Sequence, residues 1–195
     1  EKARVLASCR KAAAELRTQR SNDAPARASV DEREERGGEK VWHWVRKGVP
    51  LRLEIGPRDL DKDAVFAGRR DRAAKDKQSV PRTELVATIA ATLQSIHDGL
   101  LARAREFRAA HTRPIDNRDE FYDFFASPSV AEGQPTPIHA GFALTHFSGE
   151  VELEKKIKDD LSVTVRCIPL EKGEPGTCPF TGKPSARRVV WAKAY

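Results

Sequence analysis

One run constrains the architecture more than any other part of the chain. From Thr83 onward, Leu85, Ile89, Leu93, Ile96 and Leu100 recur at helical spacing and fall on a single stripe. Thr83 supplies capping chemistry at the start. The run extends to about His111 and is broken before Pro114, because a residue preceding proline is pushed out of the α region. Mixed strand and helix patterns lie on both sides of it. The spacing therefore predicts a long connector helix, 83–113, between two small α/β (α+β) domains, 1–82 and 114–195.

In the first domain, residues 3–20 read as a helix with Val5, Leu6, Cys9, Ala13 and Leu16 on one face, and Cys9 as a core residue. The stretch SNDAPARASVDEREERGG reads as a solvated loop. Residues 39–47 form a short helix. Pro50 then opens a strand in which Leu51, Leu53 and Ile55 alternate with Arg52 and Glu54. Gly56-Pro57 ends it in a tight turn, AVFAGRR is a second strand, and DRAAKDKQSVPR is a polar connection. In the last third, NRDEFYDFFAS is an aromatic helix and SPSVAEGQPTP a loop. Strand HAGFALTHF, helix EVELEKKIKDDL and strand SVTVRCIPL follow. A turn-rich segment then leads to a final strand, RRVVWAKAY.

Composition excludes several classes. The charged fraction is 33% and the hydrophobic fraction 39%, which suits a core-forming soluble chain. No apolar run is read as bilayer-spanning, so no membrane partner is expected. EKARVLASCRKAAAEL lacks the apolar centre of a signal peptide. Three cysteines, an odd number, argue against a disulfide framework and for a cytoplasmic location. The net charge of +6 favours an anionic partner. No methionine occurs anywhere, which reads as a piece of a longer protein. Catalytic patterns are missing: no G-x-S-x-G, Walker or Rossmann glycines, and five scattered histidines without metal spacing.

The chemistry concentrates in GEKVWHWVRKGVPLRLEIGPRD, residues 38–59. Arginine offers a planar fork to guanine O6 and N7, while aspartate accepts from guanine N1 and N2. Unpaired loop bases are read through such exposed edges. Arg58 and Asp59 can equally form a surface pair capping a turn, with Trp42 and Trp44 packed in the core. The residues alone leave both readings open.

The same stretch resembles the signature of the prolyl-tRNA synthetase anticodon-binding domain, P-G-x-K-x-x-x-W-E-x-K-G-V-P-x-R-x-E-x-G-P-[RK]-D. Lys40, Trp44, Lys47-Gly48-Val49-Pro50, Arg52, Glu54 and Gly56-Pro57-Arg58-Asp59 match it. KKIKDDLSVTVRCIPL and TGKPSARRVVWAKAY resemble the C-terminal domain of the archaeal/eukaryotic-like type. The resemblance implies a first domain with a mixed sheet flanked by helices, its first strand missing. It further implies a region that reads the two guanines shared by proline anticodons. The site residues it implies are Arg52, Arg58 and Asp59, with Lys75 and Lys77 in the following basic loop. Val45 stands where the family has Glu, so one acceptor is lost unless Asp59 or Glu54 replaces it.

The whole enzyme implied is a class II proline–tRNA ligase, expected to be a cytoplasmic homodimer that uses proline, ATP and Mg²⁺ and esterifies tRNA(Pro). The catalytic domain is expected to lie outside this chain, and no catalytic residue within it. The terminal Tyr195 is expected to dock toward the synthetase active site. Related C-terminal domains hold zinc on four cysteines. The matching positions are Ser148, Leu153, Cys178 and Thr181, a set with one thiolate, so zinc is expected to be lost. The rival reading is a free-standing tRNA-binding paralogue without catalytic activity.

Overall fold

The computed structural model describes residues 1–126, 139, 141–171 and 173–194. The chain forms two compact units, Glu1–Ala104 and Arg105–Tyr195. The first begins with helix α1 (Lys2–Thr18), which buries Ala12, Ala13 and Leu16. Val5, Leu6 and Cys9 are only half-buried, so Cys9 is a flank of the core rather than part of it, and burial pushes its thiol up. A short hairpin follows, β1 (Arg20–Ser21) against β2 (Ala24–Pro25). Its turn residues Asn22 and Asp23 take φ of 50° and 59°. Asn and Asp tolerate that left-handed conformation, which a two-residue hairpin needs.

Helix α2 (Gly37–Arg46) and strand β3 (Leu51–Glu54) come next. The predicted tight turn is a single helical turn, α3 (Pro57–Leu60), with proline at its first position. Strand β4 (Ala64–Arg69) and strand β5 (Lys77–Pro81) complete a sheet in the order β3-β4-β5. Every pair in it is antiparallel, so among the described residues this sheet is not mixed. Strand β5 lies within the run read from sequence as a polar connection. An edge strand needs only one apolar face, and Val80 alone supplies it here.

Helix α4 (Arg82–Ala110) starts directly after β5, one residue before the predicted Thr83 cap. Its Leu85 and Ile89 close a core with Leu16 of α1 and Val65 of β4, against which Leu51, Leu53, Ile55 and Val80 pack. Arg82 ties these layers together through Glu15 of α1 and Asp63 in the turn before β4. Contrary to the sequence expectation, α4 is long and apolar enough to cross a membrane by length and composition. Its leading apolar residues are spent on the core of this unit instead.

The second unit contains β6 (Thr112–Pro114), α5 (Arg118–Phe125), β7 (Phe142–His146), α6 (Val151–Leu161) and β8 (Val163–Cys167). Then come β9 (Gly176–Thr177), β10 (Pro184–Ser185) and β11 (Arg188–Lys193). The main sheet runs β6-β7-β11-β8, parallel only between β6 and β7. β6 is too short to announce itself in sequence. Asn117 caps α5 by accepting from the Glu120 backbone N–H at 3.0 Å. The core gathers Ile115, Phe121, Phe125, Ile157, Val163 and Trp191. Phe121 stands edge-on to Phe125, Phe180 and Trp191 at centroid distances of 5.0–5.6 Å. The loop read at 127–137 lies outside the described residues.

Phe121 is fully buried at the junction of these rings. Phe121→Ala is expected to cost about 3–5 kcal/mol by leaving a cavity the rigid aromatic neighbours cannot refill. The drop in urea midpoint, followed by circular dichroism, measures it.

Candidate nucleic-acid interface

The antiparallel register decides which side chains share a surface. Leu51, Leu53, Val65 and Val80 point into the core, so the strand period of two turns Arg52, Glu54, Phe66, Gly68, Lys77 and Ser79 the other way. Arg52, Gly68 and Lys77 form one row across the three strands; Glu54, Phe66 and Ser79 form the next. Gly68 has no side chain, and the two cations reach over it. A Cβ there would lie 3.3 Å from Arg52 Nη2 and 3.5 Å from Lys77 Cγ. Arg52 Nε is buried without a hydrogen-bond partner, an uncommon state for a guanidinium donor. Lys77 Nζ is ion-paired to Glu54 Oε1. Phe66, in the central strand, is 38% exposed.

The other predicted residues are placed differently. Arg58 sits on α3, past the end of β3, and is exposed. Asp59, also on α3, folds back so that its Oδ2 accepts from the Gly56 backbone N–H at 2.8 Å. That bond satisfies a free donor at the helix start and commits one carboxylate oxygen to structure. Lys75 is exposed in the turn between β4 and β5. The structure therefore brings Arg52 and Lys77 together. Arg58, Asp59 and Lys75 belong to flanking turns.

Helix α2 buries no side chain fully. Its anchor is Asp31, whose Oδ2 accepts from Trp44 Nε1 at 2.8 Å and from Arg33 Nη2 at 2.7 Å. The Arg33 side chain holds the Asp31 carboxyl well below the usual carboxylate range, with the Trp44 indole adding to it against the opposing effect of burial. Lys40 Nζ donates to the Asp31 carbonyl at 3.1 Å. Lys47 lies over the Trp44 ring, its Nζ 5.0 Å from the centroid. Trp44 thus does hold the helix in place. Trp42 does not: it is 66% exposed, so the reading with both tryptophans packed in the core fails at this position. Val45 is half-buried and offers no acceptor. Arg70 Nη1 donates to the Gly48 carbonyl at 3.2 Å and ties the loop after α2 to the end of β4.

In the second unit, Ser148, Cys178 and Thr181 converge. Thr181 Oγ1 donates to Ser148 Oγ at 3.2 Å. Burial raises the Cys178 thiol, but hydrogen bonds from Thr181, Ser148 and nearby backbone outweigh it and bring it below its ordinary value. Leu153 packs against the aromatic core. A tetrahedral zinc cage needs four N, S or O donors. One thiolate, two mutually bonded hydroxyls and an aliphatic side chain do not fit one. Among the described residues no group of three His, Cys, Asp or Glu side chains is placed to hold a metal ion. Tyr195 lies outside the described residues.

Residues 1–92 match the family described as Anticodon binding domain. Three antiparallel strands backed by α1 and α4, within that match, make the first unit an anticodon-binding domain. Residues 136–195 match the family described as Prolyl-tRNA synthetase, C-terminal. The chain belongs to the prolyl-tRNA synthetase family, of which it carries the anticodon-binding and C-terminal domains. It is 59% identical over 192 residues to proline–tRNA ligase 2 of Anaeromyxobacter dehalogenans, covering 98% of this chain and 38% of that protein. It is 43% identical over 194 residues to the proline–tRNA ligase of Akkermansia muciniphila, covering 98% and 37%. The chain thus spans little more than a third of the length of these relatives. A crystal structure of prolyl-tRNA synthetase from Cryptosporidium parvum, complexed with L-proline and AMP, shares the fold. Its TM-score is 0.71 at 24% identity, over 97% of this chain and 37% of that one.

Glu54, Phe66 and Gly68 carry the surface beside Arg52, yet only Glu54 was visible as a candidate from sequence. A glycine inside a strand pattern was the available signal for a close approach.

Asp31 gives a pH-dependent prediction. Its folded pKa is depressed, so the stability it contributes is present above the unfolded value near pH 4 and is lost as pH falls toward the folded one. Asp31→Asn is expected to lower the urea midpoint at pH 7. The gap to the parent should persist down to about pH 4 and narrow below it. A gap independent of pH would show that the carboxylate charge is not what anchors α2.

Proposed function

We propose that this chain is the tRNA-recognition region of a proline–tRNA ligase, the whole protein attaching proline to tRNA(Pro) in an ATP-dependent, two-step reaction. The observation that carries this reading is the outer face of the first unit's sheet. Within a domain of the anticodon-binding family, it groups Arg52 and Lys77 beside an exposed aromatic ring. Arg52 and Arg58 would read guanine O6 and N7, Lys75 would meet phosphates, and Lys77, ion-paired to Glu54, would line the same face as Arg52. Asp59 has one oxygen committed to Gly56, which leaves the other for a base.

Proline, ATP and Mg²⁺ would be handled by a class II catalytic domain, and the full enzyme would work as a cytoplasmic homodimer. The C-terminal unit would be held by the Ser148–Cys178–Thr181 hydrogen bonds and the packing of Leu153, with Tyr195 reaching toward the active site. The purified protein is expected to contain far less than one zinc per chain by elemental analysis and to keep its circular dichroism in a chelator. Stoichiometric zinc, or unfolding on chelation, overturns the metal-free reading.

The recognition reading is tested by fluorescence anisotropy with proline tRNA and with the same tRNA carrying a changed anticodon guanine. Affinity should fall steeply as salt rises, because phosphate contacts release counterions. Arg52→Ala and Arg58→Ala should each cost about 1–3 kcal/mol and reduce the preference for the guanine. Lys11→Ala, on the exposed side of α1, should weaken both RNAs about equally. If both arginine variants keep the parent's preference while remaining folded, the guanine-reading assignment fails.

A further inference from the structure

Selecting guanine over adenine takes two kinds of group: donors aimed at O6 and N7, and an acceptor for N1–H and the N2 amino group. The donors are at hand in Arg52. The acceptor on the sheet face is the unsolved half, since Val45 stands at the signature position for glutamate and Asp59, with Oδ2 bound to Gly56, sits on α3 rather than on the sheet. On the outer sheet face one carboxylate remains. Glu54 lies two residues along β3 from Arg52, on the same side of the strand, with 42% of its side chain exposed. Lys77 engages Oε1 and fixes its direction, and an ionised carboxylate has lone pairs left for further donors.

Directly across from Glu54 in the register is Phe66, exposed in the middle of the sheet where it adds nothing to the core. The neighbouring position on the same strand and face is Gly68, which leaves room for Arg52 Nη2 above the sheet. An exposed aromatic ring beside a guanidinium is a platform for an unstacked base.

We propose that Glu54 supplies the guanine N1–H and N2–H acceptor of this surface and that Phe66 is the ring on which that base stacks. The proposal rests on the first unit's reading as an anticodon reader. In this arrangement the base lies over Phe66, its O6 and N7 edge toward Arg52 and its amino edge toward Glu54. Lys77 serves as a positioning residue for the carboxylate.

The test uses the 195-residue chain and a 17-nucleotide proline anticodon stem-loop. Each anticodon guanine is replaced in turn by inosine, which lacks only the N2 amino group, or by 7-deazaguanine, which lacks only N7. In the parent, inosine at the recognised position should weaken binding roughly tenfold or more, and 7-deazaguanine should also weaken it. In Glu54→Ala the inosine penalty should vanish while the 7-deazaguanine penalty stays, which shows that the remaining surface is intact. If both penalties disappear, Glu54→Gln, which keeps the volume, is judged by the same criterion. An inosine penalty retained in full by either variant overturns the role of Glu54 and leaves the anticodon reading standing. A parent chain indifferent to both analogues overturns the anticodon reading itself, and this proposal with it. Phe66→Ala should weaken guanine and inosine loops alike, with Phe66→Tyr restoring affinity. Parent-like binding by Phe66→Ala overturns the stacking role.

Discussion

The two-residue period of the β3-β4-β5 sheet couples the core to the sheet's outer surface. Burying Leu51, Leu53, Val65 and Val80 against Leu16, Leu85 and Ile89 fixes the rotation of all three strands. Arg52, Glu54, Phe66 and Lys77 then have nowhere to point but outward. A register slip of one residue would bury two charged side chains and expose the core, so the same hydrophobic energy that closes the domain also enforces the site. The Arg82 links to Glu15 and Asp63 lock the helical layer to the strands at the edge of this arrangement.

The outer face of this unit is shaped by small, local departures from the simplest packing. Gly68 forgoes a side chain so that two cations can cross the central strand. Phe66 forgoes burial. Asp59, which in sequence looked like a base reader, has one oxygen employed in starting a helical turn. Asp31 lies outside any helix or strand, yet it organises α2 by gathering the Trp44 indole and the Arg33 guanidinium on one carboxylate. Each of these is a polar or conformational decision, made where hydrophobic patterning is silent.

The second unit shows the same trade. Ser148, Cys178 and Thr181 form a hydrogen-bonded trio, and Leu153 joins the apolar core. An aromatic cluster around Trp191 sits beside them, with Phe147 and Phe180 packed on it. Dispersion and edge-to-face ring contacts in such a cluster stabilise a small domain.

Periodicity in the sequence determined the long helix from 82 onward, the amphipathic strands at 51–54 and 64–69, and the aromatic helix at 118–125. A stripe or an alternation is a local property of the chain. The motif at 38–59 determined the family. The tertiary structure alone decided the rest. Strand β5 looked like a polar loop until β4 offered it a partner, and β6 is three residues whose hydrogen bonds exist only beside β7. Trp42 and Trp44, two positions apart on α2, meet solvent and Asp31 respectively, a difference no local pattern encodes. The grouping of Arg52, Glu54, Phe66, Gly68 and Lys77 joins residues up to 25 positions apart through cross-strand register. Register is set by core packing over the whole sheet, which is why the site could be read only after the fold.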